Sequence, residues 1–203
     1  LLAVMMSSIS IGSLGEKISF RSHGEGSPLV LLHGFLESSL IWSDLEKTWS
    51  RKRQVACVDL PGPGASDVLA AEHGMELMAQ SVMTVLDHLK LSQVELLGHS
   101  MGGYVGLALL ELYPDRVSRI GLMNSSTAPD SPERKENRER SVGLVKKNKA
   151  AFVSMALKNL LPSDNYGIHK DSIEKMKNHA IGFPTEGIVA ALEGMKNRTD
   201  RSK

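Results

Sequence analysis

Over the first two thirds of the chain, short β-branched apolar runs alternate with amphipathic stretches, the pattern of βα units around a parallel sheet. Lys17–Ser22 alternates apolar and polar positions and predicts a strand, closed by the turn-rich His23–Ser27. Leu29–Leu32, Val55–Asp59, Val94–Leu97 and Val117–Met123 predict strands covered on both faces. Helices are predicted over Leu40–Trp49, Met75–Leu89 and Gly102–Tyr113. The second of these carries Leu77, Met78, Val82, Val85, Leu86 and Leu89 on one broad stripe. Pro61–Ser66 (PGPGAS) cannot be regular structure.

After Asn124 the texture changes. Ser125–Lys149 is polar and charged, with seven basic and three acidic residues between Glu133 and Lys149. At helical spacing with interleaved Glu, this cluster reads as a solvated helix face rather than a nucleic-acid patch. Helical segments follow with no strand between them. Phe152, Ala156 and Leu160 share a face, as do Ile173, Met176 and Ala180, and Ile188, Leu192 and Met195. The chain therefore divides into an α/β unit over residues 1–128, a helical cap over 129–196 and a polar tail over 197–203.

Composition narrows the function classes. With 203 residues, 24 basic against 23 acidic side chains and a net charge of +1, the chain lacks the one-signed surface of a nucleic-acid or anionic-membrane binder. One cysteine excludes an internal disulfide framework and a multi-cysteine zinc site, and fits a cytoplasmic location. Cys57 itself reads as a small buried apolar residue. No apolar run reaches the roughly 18–20 residues that span a bilayer. Leu1–Met6 is apolar but lacks the basic start of a secretory signal, so Met5 or Met6 is the expected translational start.

Three motifs carry chemistry. Gly98-His99-Ser100-Met101-Gly102 is a G-x-S-x-G between a predicted strand and a predicted helix, the strand–turn–helix setting of a nucleophile elbow. Bare glycines there let the Ser100 hydroxyl stand clear, and the helix N-terminus favours a developing negative charge. His33-Gly34-Phe35 follows the first covered strand. Acyl-transfer chemistry needs two preorganised N–H donors, and Phe35 N–H and Met101 N–H are the candidates for this oxyanion hole. His33 reads as a residue bracing its loop rather than as a base. Asp59-Leu60-Pro61-Gly62-Pro63-Gly64-Ala65-Ser66 forms a rigid loop, which Asp59 is expected to hold through backbone hydrogen bonds.

Together these motifs resemble the α/β-hydrolase superfamily, in its order and at its usual separations from about Lys17 to Asn124. The resemblance implies a mostly parallel sheet flanked by helices, with a helical cap as in the esterase, C–C hydrolase and haloperoxidase-like branches. It implies a serine hydrolase that needs no cofactor or metal and acts on a small-molecule ester or similar acyl substrate. Pro63 departs from the family pattern, which has histidine there. The superfamily places its acid and histidine after the cap. Asp164, His169, Asp171 and His179 lie within the cap and Asp200 in the tail, so none fits. The expectation is a C-terminally truncated hydrolase, lacking the fold's final strands and helices and of little or no activity by itself. Val117–Met123 would then present an unpaired edge. Phe152, Met155, Leu160 and Phe183 are candidates for an apolar substrate lining or for interhelix packing. C–C hydrolysis, acyl transfer, perhydrolysis or a non-catalytic binding role on the same fold stay open.

Overall fold

The structure, a computed structural model, describes residues 6–11, 15–160 and 167–203. Met5 and Asp164 lie outside the described residues. Six strands form one sheet: β1 (Ser7–Ile11), β2 (Glu16–His23), β3 (Pro28–Leu32), β4 (Gln54–Val58), β5 (Val94–His99) and β6 (Val117–Met123). Their spatial order is β1-β2-β4-β3-β5-β6. β1 and β2 pair antiparallel with each other, β2 pairs antiparallel with β4, and the remaining pairings are parallel.

Alternation along the central strands divides the core. Val30 and Leu32 of β3, with Ala56 and Val58 of β4, pack with α2 (Met75–His88) and α3 (Met101–Leu112). Leu29 and Leu31, with Val55 and Cys57, face α1 (Ser43–Trp49) through Trp42. Both faces are covered, so both sets are apolar, and each fully buried aliphatic side chain contributes about 1.5–3 kcal/mol. Cys57 is fully buried, and burial pushes its thiol above the ordinary range.

Four expectations need correction. β1 has no counterpart in the sequence reading, because its serine-rich Ser7–Ser10 carries a weak strand signal. The helix expected over Leu40–Trp49 begins as a 3-10 turn over Ser39–Trp42, capped by the Ser38 side chain. β6 is not covered on both faces. It is the sheet's edge, the unpaired position expected for it, and Leu122 and Met123 are each 39% exposed. Lastly, the cap face Phe152–Ala156–Leu160 is not the buried one. In α4 (Pro132–Lys158) the helix breaks at Asn148 (φ −156°, ψ 86°), whose side chain accepts the Ala151 N–H and caps the second half. The buried positions there are Phe152, Val153 and Leu157, while Leu160 is 55% exposed.

α5 (Lys170–Ile181) and α6 (Thr185–Lys196) follow α4. α6 docks on the core where the His73 N–H donates to the Ala190 carbonyl at 2.9 Å. The approach is close enough that a Cβ on Gly194 would overlap the His73 carbonyl. Gly194→Ala is therefore expected to cost about 2–3 kcal/mol, because a backbone atom must move. A lowered urea midpoint with an unchanged slope would show it, and an unchanged midpoint would mean that α6 is seated loosely.

The tail is not a solvated strand of chain. Arg198 is buried with its guanidinium 4.1 Å above the Tyr104 ring, and Arg201 pairs with Glu76 of α2 and Glu111 of α3. Among the described residues no helix is long and apolar enough to cross a membrane.

Candidate active site

β5 runs directly into the turn at Ser100, and α3 starts at Met101. Ser100 has φ 48° and ψ −113°, a region that disfavours any side chain. The surrounding backbone holds it there. The Ser100 N–H donates to the Met123 carbonyl at 2.9 Å, and its own carbonyl accepts from Ser125 Oγ at 2.8 Å. Gly98 and Gly102 make the turn possible sterically. A Cβ on Gly98 would run into the first turn of α3, and one on Gly102 would overlap the Leu32 carbonyl. The helix N-terminus therefore presses against the end of β3, where His33-Gly34-Phe35 begins.

This approach brings Phe35 and Met101 to one place. Both line a partly open space of about 10 Å³, with Leu36, Pro63, Phe183 and Ile188 as further walls. That is room for one water-sized group. No hydrogen bond occupies the Phe35 or Met101 N–H among the described residues. α3 adds its free N-terminal N–H groups, which favour negative charge at this point. A separate apolar groove of about 150 Å³ opens at the α4 break, lined by Leu144, Lys147, Asn148, Ala151, Phe152 and Met155. The Phe35 and Phe152 rings meet edge-on at 6.4 Å between the two spaces. Of the four candidate lining residues, Phe152 and Phe183 are buried, Met155 borders the groove and Leu160 faces solvent.

The loops are bolted together from behind. His33 Nε2 accepts the Leu60 N–H at 2.9 Å, which leaves Nδ1–H to donate to the Gly34 carbonyl at 2.8 Å. His33 is fully buried, and burial pushes its pKa down, so the ring is neutral. Asp59 Oδ1 accepts the Ser39 N–H at 2.7 Å, and its Oδ2 accepts the Ala65 N–H at 2.9 Å. Ser39 is gripped in turn by Arg21, which forms a buried ion pair with Glu46 at 2.7 Å. Pro63 reaches the small cavity itself, at the position where the resemblance expects histidine.

Sequence reading missed Glu37. Its buried carboxylate accepts the Gly34 N–H at 2.6 Å and the His99 Nδ1–H at 2.9 Å. The available signal was an acidic residue two positions after the HGF motif, in a stretch that otherwise packs inward. The hydrogen bond from Glu37 pushes the His99 pKa above the ordinary imidazole value, against the opposing effect of burial.

Among the described residues no histidine or carboxylate is hydrogen-bonded to the Ser100 hydroxyl. His179 lies on α5, its Nε2 2.9 Å from Ser38 Oγ and its ring edge-on to Phe183 at 4.9 Å. His169, Asp171 and Asp200 are exposed and make no hydrogen bond to Ser100. Among the described residues no cluster of three histidine, cysteine or acidic side chains could hold a metal ion.

Comparison with known proteins agrees with this fold. Residues 27–163 match the model of a family described as having the alpha/beta hydrolase fold. A thermophilic esterase from Thermogutta terrifontis, solved with malate bound, superposes with a TM-score of 0.88 at 32% identity, covering 97% of this chain and 74% of the esterase. A putative carbamate hydrolase, RutD, from Pseudomonas savastanoi pv. phaseolicola is 27% identical over 177 residues, 86% of this chain and 68% of the relative. The dihydrolipoyllysine-residue acetyltransferase component of the acetoin cleaving system from Pseudomonas putida is 37% identical over 108 residues. That match covers 53% of this chain but only 29% of the acetyltransferase component, so the chain spans less than a third of this relative.

Proposed function

Because the chain belongs to the α/β-hydrolase fold family, we propose that Ser100 is the nucleophile of a serine hydrolase acting on a carboxylic ester or similar acyl substrate. The observation that carries this reading is the strained Ser100 backbone beside a small cavity lined by Phe35 and Met101. Ser100 Oγ would attack the substrate carbonyl carbon, and its proton would pass to a general base. The carbonyl oxygen, now an anion, would accept from the Phe35 and Met101 N–H groups. Collapse expels the alcohol and leaves an acyl-serine, which water then hydrolyses. In this reading the base and its carboxylate partner come after the cap in chain order, as the resemblance implies. The space beside Phe35 and Met101 is narrow, and a shift of Phe35 or Phe183 would widen it for an acyl chain.

A fluorophosphonate probe tests this reading on the protein expressed from its complete reading frame. The Ser100 Oγ–P bond forms as P–F breaks, releasing fluoride and a proton. Covalent labelling that maps to Ser100 is the expected result, and a protein that takes up no probe would overturn the proposal.

Acyl transfer is the second reading, favoured by the likeness to the acetyltransferase component. It differs only in the acceptor, so added alcohol or thiol would divert the acyl group from water.

A further inference from the structure

We propose that Glu37 is a positioning residue of this site, clasping the loop that carries Phe35 to the elbow that carries Ser100. The proposal rests on the Ser100 reading above. One carboxylate oxygen, Oε2, makes both contacts, at 2.6 Å to the Gly34 nitrogen and 2.9 Å to His99 Nδ1. Gly34 precedes Phe35 and His99 precedes Ser100, so each bond lands one residue from a group assigned to the chemistry. One carboxylate oxygen thereby links the elbow to the oxyanion loop, beside the direct approach of Gly102 to the end of β3.

The sequence around the clasp is built for it. A Cβ on Gly34 would stand 2.7 Å from Glu37 Oε2 and 2.9 Å from His99 Nδ1, so only glycine lets the three groups meet. Glu37 is 7% exposed, and a carboxylate this buried is costly unless it is paired and hydrogen-bonded. Holding the loop in place does not require that cost. His33 already ties it to Leu60, and Asp59 already ties it to the Ala65 turn through Ser39. What the clasp adds is a charge-assisted link between the two N–H donors of the proposed oxyanion hole. Their relative placement is what transition-state stabilisation depends on. The other titratable groups packed around the pair are His33, which is neutral, and Asp59 behind it.

Glu37→Gln is close in shape but carries no charge, and it tests the link. Saturation kinetics of fluorophosphonate labelling would separate probe binding from bond formation, and His99 would be followed through its imidazole resonances by NMR. The expected result is a maximal labelling rate about 10-fold lower or more, with the apparent probe affinity within about two-fold. The His99 midpoint should also fall back toward the ordinary imidazole value, while the thermal midpoint stays near that of the parent protein. Parent and variant labelling at equal rates would overturn the positioning role and leave the Ser100 reading intact. A loss confined to probe affinity would also overturn it. If the parent protein does not label, the Ser100 reading fails and the positioning role falls with it.

Discussion

Ser100→Ala is expected to lower kcat/KM for a p-nitrophenyl ester by at least about 10⁴-fold in the protein expressed from its complete reading frame. That corresponds to about 5.5 kcal/mol of lost transition-state stabilisation. The residual rate is that of an oxyanion hole with no nucleophile, which is why the loss is bounded. Stability should separate from activity at this position. The backbone at φ 48°, ψ −113° costs any side chain about 1–3 kcal/mol, and alanine carries that cost as serine does. Its thermal midpoint should therefore stay close to that of the parent. Glycine escapes the steric cost but is more flexible when unfolded, by about 0.5–1 kcal/mol. Ser100→Gly should consequently be inactive yet more stable by about 1 kcal/mol, a rise of about 2–4 °C. A Ser100→Ala protein that still hydrolyses ester at the parent rate would remove Ser100 from the chemistry.

The strain at Ser100 also shows how the sequence and the structure divide the information. The covered strands β3, β4 and β5 were legible to within a residue or two at their starts, because a sheet buried on both faces demands continuous apolar runs. The elbow was legible because glycines must stand where backbones touch, and Gly98 and Gly102 both do. Features that depend on chain topology were not. β6 carries an apolar pattern like its neighbours, so its exposed face was not legible from that pattern, although its edge position was expected from the resemblance. The buried stripe of α4 was misread because the helix ends at Lys158, so Leu160 lies past it and Phe152, Val153 and Leu157 form the inward face. Glu37 escaped notice for a related reason. A lone acidic residue reads as surface until His99, 62 positions away, is seen to share its carboxylate with Gly34.

Topology likewise hides the pair that should matter most to stability. Asp130 precedes α4 and Arg198 follows α6, so together they join the two segments that flank helices α4 to α6. Arg198 Nη1 donates to Asp130 Oδ1 at 2.6 Å, and Arg138 Nε donates to Asp130 Oδ2. Arg198 also donates to the Ala128 carbonyl at 2.9 Å, and the Arg201 N–H donates to the Thr127 carbonyl at 3.0 Å. The Asp130 side chain is fully buried, so Asp130→Ala leaves the Arg198 charge buried without its counter-ion. The expected cost is about 3–5 kcal/mol in urea unfolding. Burial alone would raise the Asp130 pKa, but the hydrogen bonds from Arg138 and Arg198 outweigh it and hold the carboxyl below its ordinary value. Its contribution is therefore complete above the unfolded value of about 3.9 and is lost as pH falls through the lower folded value. The stability gap between the parent and Asp130→Asn should accordingly be constant near neutrality and narrow only below about pH 4. Replacing both partners separates the cost of a stranded charge from the worth of the link. If Asp130→Ala with Arg198→Met regains most of the loss, the single-variant cost is mainly the unpaired arginine. If the double variant is as unstable as Asp130→Ala alone, the link between the two segments is itself what holds helices α4 to α6 to the core.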